Sequence, residues 1–455
     1  MEKTLERPLP RGDAAATKAE YESGKPPIHC SGWTTVRPHQ RYGALQQDIH
    51  ADVAVIGAGL AGSSVALHLA QLGASVALIE ARQPGDGASG RNAGHVQPFL
   101  DHLEYLKDWP NAGQDFIQMF IEQRNIVFDL CEKYRIDADA LKSGMVEAAL
   151  KPQKSLAAKA RHWRSMGYAV EELDATGMRK VLGTGAYQYG LHWSEGGRVN
   201  PYLLTNGMVA AAARLGAKVF GDSPVLQCHR DGALWRVATA QGSVRAGKVI
   251  ICTSGHDGNG FFPGLAATSY PLVACAVATR PVPKEVLDSI NPTRAAVTQF
   301  PTGLYPIVMD GSNRMISATI PHPGRASEGA VYFNYFLNYL HKTFPQTRDV
   351  DIQMESYWTG VTASSSHVYH ADYPNIFQLD DGVMALSNLG TWGNIMGPLL
   401  GRHLAQVVYA DRPQDLLLPW LTPQSRTVRH PDWFSFKVRR FMLPAARLVD
   451  KLGLA

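Results

Sequence analysis

The clearest pattern of apolar and polar stretches begins at residue 51. Asp52-Val53-Ala54-Val55-Ile56 is a short apolar run closed by Gly57, as in a strand buried on both faces. Residues 60–72 follow with helical spacing and end at Gly73, and Ser75-Val76-Ala77-Leu78-Ile79-Glu80 reads as a second strand. This predicts a β–α–β unit of about thirty residues. Residues 101–182 are mostly helical in character, with 116–134 and 154–166 as examples, and 200–216 predict a further helix. Short strand-like runs at 217–220, 225–229, 234–238, 243–245 and 248–252 predict a small antiparallel meander returning to the main sheet. Residues 268–320 read as strands with Pro and Gly turns, 331–344 as a helix, 384–388 as a strand and 398–410 as a helix. No internal repeat is visible.

Between the first strand and its helix lies Gly57-Ala58-Gly59-Leu60-Ala61-Gly62, a G-x-G-x-x-G with an acidic residue, Glu80, ending the next strand. Gly57 permits the tight turn, Gly59 lets backbone N–H groups approach a pyrophosphate, and Gly62 lets helix and strand close up. The helix N-terminus adds partial positive charge for phosphates. Glu80 suits ribose hydroxyls and disfavours a 2′-phosphate, so NADP is not expected. The fingerprint alone leaves FAD and NAD both open. It predicts an α/β fold with a Rossmann-type dinucleotide-binding domain, interleaved with a second domain on an antiparallel sheet.

Composition adds mainly exclusions. The chain has 455 residues, 45% hydrophobic and 18% charged, long enough for two domains with a filled core. The net charge is +4, but residues 426–455 hold seven Lys/Arg against two Asp/Glu, leaving the remainder at 37 against 38. The basic character belongs to the tail, and nucleic acid is not an expected partner. Five scattered cysteines without a Cys-x-x-Cys pair argue against a disulfide framework, a zinc site or an iron–sulfur cluster. A reducing cytoplasm fits them best. No run reaches the roughly 18 apolar residues of a membrane span, and residues 1–30 read as a loose polar extension. His367 and His370 lack a third ligand, so no metal is expected.

The segment after Glu80, Gly85-Asp86-Gly87-Ala88-Ser89-Gly90-Arg91-Asn92-Ala93-Gly94, resembles the "GASGRNGG" segment of D-amino-acid-oxidase-like flavoenzymes. Within that superfamily the chain is most similar to the γ-glutamylputrescine oxidoreductases. Ser194-Glu195-Gly196-Gly197-Arg198-Val199-Asn200-Pro201 resembles their "GGxxxP" segment, and Lys248-Val249-Ile250-Ile251-Cys252-Thr253-Ser254-Gly255 their returning strand. Lys342-Thr343-Phe344-Pro345, Tyr357-Trp358-Thr359-Gly360 and residues 390–402 resemble family segments too. The likeness spans roughly residues 30–455. The chain departs from the family at Ala93, at Trp392 where a His is usual, at 304–310 where no Arg stands to grip a carboxylate, and at 364–370.

The resemblance implies FAD and the oxidation of an amine, with hydride passing to flavin N5 and the imine hydrolysing to an aldehyde or ketone. The alternatives are an N-methyl or secondary amino-acid oxidase, a flavoprotein with a divergent substrate, a flavin-binding protein without turnover, and a NAD-dependent dehydrogenase. The expected partners are a small amine and an electron acceptor, oxygen or another. The cofactor residues implied are Gly57, Gly59, Leu60, Ala61, Gly62, Glu80, Ala81 and Arg82; Ser89, Arg91, Asn92, Ala93, Gly94 and His95; and Val225, Thr253, Gly255, Gly393, Asn394 and Ile395. His95, Tyr305 and Trp392 are the catalytic candidates, Tyr305 as a roof over the pocket. The expected division is 31–100, 196–260 and 350–425 for the FAD domain, 101–195 and 261–349 for the substrate domain, and a basic tail at 426–455 that docks on the domain or meets a membrane surface.

Overall fold

The computed structural model describes residues 31–34, 40–254, 261–262, 265, 268–301, 305–364, 373–423 and 431–454. Two large sheets organise it. The first is nine-stranded, and its centre is parallel: strand β1 (Ile49–Ile56), helix α1 (Leu60–Gln71), strand β2 (Val76–Ile79), strand β3 (Ser243–Ile251), strand β4 (Val383–Ser387) and helix α2 (Gly393–Ala410). β1 lies between β2 and β3, parallel to both, and β4 extends β3. Being central, β1 buries its last four residues, which is why the sequence shows an apolar run rather than an alternation. The hairpin Gln227–Asp231 with Leu234–Ala238 pairs antiparallel onto β3, as expected of the meander, but Lys218–Phe220 stands outside it, parallel to β2, and the runs expected at 243–245 and 248–252 are one strand, β3.

α1 is buried along eleven of its twelve residues because α2 and the helix Pro201–Arg214 cover it. Small residues allow that approach: a Cβ on Gly401 of α2 would lie 2.6 Å from Ser64 Cβ of α1. α2 starts five residues earlier than its apolar run suggested, at Gly393, with Pro398 inside it.

The second sheet has eight strands in the order Met354–Ser364, Tyr270–Thr279, Met315–Thr319, Ile307–Met309, Ala296–Gln299, Met145–Ala149, Tyr189–Trp193 and Val170–Asp174. It is antiparallel except where Ala296–Gln299 runs parallel to Met145–Ala149. Four expectations are corrected here. The 101–182 stretch holds two strands of this sheet, Met145–Ala149 and Val170–Asp174, besides its helices. The single helix expected at 116–134 is two, Gln114–Glu122 and Ile126–Tyr134. The all-strand reading of 268–320 misses the helix Lys284–Ile290. Met354–Ser364, expected in the cofactor half, is an edge strand of the second sheet.

The C-terminal segment docks on the second sheet. Val438 and Leu443 are buried, Arg439 donates to Ile320 O and Thr319 Oγ1, and Asp450 accepts from the backbone N–H of Leu150. No described helix is long and apolar enough to cross a membrane.

Candidate active site

The glycines of the turn after β1 have the roles their spacing predicts. Gly57 sits at φ +97°, and a Cβ there would come 2.7 Å from Cys252 O at the end of β3. A Cβ on Gly62 would lie 1.8 Å from Gly57 O, so only glycine lets α1 begin there. Leu60 N donates to Ser89 Oγ at 2.9 Å, tying the helix start to the 85–94 loop. The Glu80 carboxylate accepts from Ala58 N at 2.7 Å and Arg82 N at 3.0 Å, bracing both turns. Burial pushes its pKa up, and these two N–H groups work against that rise.

Asn92 and Asn394 lock this loop to α2. Asn92 Nδ2 donates to Asn394 Oδ1 at 3.0 Å, and Asn394 Nδ2 returns a bond to Asn92 Oδ1 at 2.9 Å and gives another to His95 O at 2.8 Å. Asn394, expected to bond the flavin ring, therefore has its amide engaged by protein. Arg91 is likewise spent on backbone, donating to Asp86 O and Thr359 O. Beneath the loop, Ser31 donates to Gly90 O, Trp33 to Asn92 O and Trp358 to Arg91 O.

These elements wall one end of a 1460 Å³ cavity. That exceeds the roughly 300–1,000 Å³ of an ordinary small-molecule site, leaving room for a dinucleotide and a substrate together. Gly57, Gly59, Leu60, Ala61, Glu80, Ala81, Arg82, Ser89, Arg91, Asn92, Ala93, His95, Val225, Thr253, Trp392, Gly393 and Asn394 line it. Gly62, Gly94 and Ile395 do not line it, and Gly255, His367 and His370 are outside the described residues. His95 Nε2 bonds Val297 O at 3.1 Å, and burial holds its pKa below the usual imidazole range. Trp392 meets Tyr373 edge-on at 5.2 Å between ring centres.

Tyr305 does not roof the cavity. It sits in a bend at φ +53°, two residues before the strand Ile307–Met309, and stacks on Tyr339 at 5.4 Å. Pro306 and Met442 of the tail contribute to the wall instead.

The sequence reading missed an ion cluster inside the cavity. Lys159 Nζ lies 2.7 Å from Asp101 Oδ1 and 2.8 Å from Glu147 Oε1, and 3.5 Å above the Phe99 ring. Glu147 Oε2 accepts from Trp193 Nε1 at 2.9 Å. Burial works against the Lys159 ammonium, but the charges of Asp101 and Glu147 outweigh it and raise its pKa. Burial raises Glu147 as well. A signal existed: Lys159 lies on the same helical face as Leu156, Ala160 and Trp163, all buried. No group of three or more His, Cys, Asp or Glu among the described residues is placed to hold a metal.

The geometry fits FAD. The turn closes only with glycine, Glu80 stands at the end of the second strand, and the cavity continues past the cradle. The comparisons agree. A family model described as FAD dependent oxidoreductase matches residues 52–407. The chain is 28% identical over 382 residues to γ-glutamylputrescine oxidoreductase of Escherichia coli (strain K12), covering 81% of this chain and 86% of that protein. It is 24% identical over 375 residues to glycine oxidase of Geobacillus kaustophilus (strain HTA426), covering 78% and 92%. In fold it is similar to the crystal structure of Geobacillus kaustophilus glycine oxidase (TM-score 0.65, 20% identity, 82% of this chain and 99% of that one). L-proline dehydrogenase from P. horikoshii is similar too (TM-score 0.65, 16% identity, 87% and 99%). The family match spans more than half of the chain, so this protein belongs to the FAD dependent oxidoreductase (DAO) family.

Proposed function

We propose that the protein oxidises the carbon–nitrogen bond of an amine, as the name of its γ-glutamylputrescine oxidoreductase relative suggests. Bound FAD would supply the two-electron acceptor that takes hydride from the carbon bearing nitrogen, leaving an imine for water to hydrolyse. The residues of this chain bind and orient. Gly57, Gly59 and the α1 N-terminus would cradle the pyrophosphate, and Glu80 the ribose. The N-terminus of α2 at Gly393 brings positive backbone charge to the cavity wall, suited to the negative charge of a reduced flavin. His95, whose pKa burial lowers, joins the loop to the second sheet at Val297. No acid or base is needed beyond whatever keeps the amine neutral.

One observation favours an amine over an amino acid. Past the cradle the wall carries Asp101, Glu104 and Glu147 against one lysine. Among the described residues, the two arginines that line the cavity, Arg82 and Arg91, both donate to Asp86 O within the 85–94 loop region. A carboxylate substrate would meet like charge there; a cationic one would not. The test is an anaerobic spectrum of the FAD-loaded protein with plain and γ-glutamylated amines, and with glycine and sarcosine. Bleaching by amines alone supports the proposal, and bleaching by the amino acids alone overturns it.

A further inference from the structure

We infer that Asp101 anchors a second ammonium group of the substrate, at a distance from the nitrogen being oxidised. This rests on the amine reading above and specifies it as a molecule with two cationic ends. Lys159 is shared by two carboxylates, so with both ionised the cluster carries one uncompensated negative charge. Both oxygens of Glu147 are taken, one by Lys159 and the other by Trp193. Asp101 differs. Its Oδ1 holds Lys159, while Oδ2 has among the described residues only a long contact, 3.5 Å from Gln97 Nε2. The side chain is 32% exposed and lines the cavity. Oδ2 is therefore the acceptor offered to a ligand.

Position supports this assignment. Glu147 lies opposite Thr298 in the parallel pairing of Met145–Ala149 with Ala296–Gln299, one residue from the Val297 carbonyl that holds His95. Adjacent strands are about 4.8 Å apart, so Glu147 stands one strand spacing from the strand that holds His95. A short methylene chain can bridge that gap. Phe99, Leu156 and Trp163 line the same part of the cavity and would cover such a chain. Among the described residues, the other titratable groups there are Glu104, paired with His102 at 3.2 Å, and His162. A second ammonium would neutralise the excess charge in a partly desolvated place, where an ion–ion hydrogen bond outweighs a surface one.

The test uses the FAD-loaded full chain under anaerobic conditions, titrated with diaminobutane and diaminohexane against butylamine and hexylamine. Binding is read from perturbation of the flavin spectrum and turnover from its bleaching. Each diamine should bind about tenfold or more tighter than the monoamine of equal length. Asp101→Asn should abolish that advantage, weakening each diamine about tenfold more than the monoamine of equal length. Equal binding of diamine and monoamine to the wild type overturns the inference, as does an Asp101→Asn variant that weakens both alike. Should that variant fail to load FAD, the wild-type comparison decides. Bleaching without a diamine preference leaves amine oxidation standing and the anchor refuted. A diamine preference in binding with no bleaching by any amine leaves the anchor standing and amine oxidation refuted.

Discussion

Asn92 and Asn394, 302 residues apart in the chain, exchange two amide hydrogen bonds, and so fasten the loop after β2 to the first turn of α2. Both side chains line the cavity. Removing one leaves its partner's donor and acceptor unpaired at a cost of about 1–3 kcal/mol. Asn394→Ala also strips a donor from His95 O. The expected result is FAD bound roughly tenfold or more weakly, with a lowered melting temperature in the FAD-free protein. Asn394→Asp should be worse, since it sets a carboxylate oxygen against Asn92 Oδ1 and His95 O. Fluorescence of released flavin on dilution measures the first effect. Unchanged retention in both variants would show that the pair merely fills space.

Gly62→Ala should prevent a normal fold. The added Cβ would meet Gly57 O at 1.8 Å, a backbone atom that cannot swing aside, so α1 must shift away from β1. Overpacking in a well-filled core costs about 1–3 kcal/mol where side chains can relax, and here the obstacle is main chain. Urea unfolding should show a much lower midpoint or insoluble protein. A midpoint equal to wild type would contradict the helix–strand geometry described for this turn.

What was legible in the sequence follows from what acts locally. The turn at 57–62 could be read because steric need fixes each glycine within six residues. The strand Met145–Ala149 could not, since Met-Val-Glu-Ala-Ala favours a helix by local preference and becomes a strand by pairing with Tyr189–Trp193 and Ala296–Gln299. Val170–Asp174 was hidden in the same way by its two Glu residues. The ion cluster joins positions 101, 147 and 159, and only the misplaced-looking Lys159 on a buried face announced it. Tyr305 was misassigned because the chain reaches it with a positive φ, which breaks the strand alternation and turns the ring to Tyr339.

Tyr305→Phe should accordingly leave turnover within about threefold of wild type, a change under roughly 1 kcal/mol. The ring packs on Tyr339 rather than on the cavity wall, and the stacking survives loss of the hydroxyl. A loss of a hundredfold or more in kcat with amine substrates would restore it as a catalytic residue.

Two buried histidines set an acid limit on stability. His68 of α1 bonds Ser64 O through Nδ1 at 2.8 Å, and His403 of α2 accepts from Leu417 N through Nε2 at 3.1 Å. Burial lowers the pKa of each from 6.5 to about 4. Below pH 6.5 the unfolded chain takes up protons that the folded chain refuses, so stability falls as pH drops from 6.5 towards 4. Each contributes on the order of 3 kcal/mol across that window. His68→Gln with His403→Gln should flatten the decline, seen as a smaller difference in urea midpoint between the two ends. An unaltered difference would place the acid sensitivity elsewhere.

The tail reaches the cavity wall through Met442. Met442 lines the cavity beside Thr319 and Ile320, the two residues to which Arg439 donates. Arg439→Ala removes bonds to Ile320 O and Thr319 Oγ1 while leaving Gly57, Glu80 and Asn394 untouched. A charged donor lost from a partly buried pair costs about 1.5–3 kcal/mol, enough to let the segment around Met442 drift. The expected signature is therefore split: KM for the amine rises severalfold, and FAD content and its absorbance stay at wild-type level. Loss of FAD together with activity would show that the tail supports the whole fold, and an unchanged KM would detach it from the site.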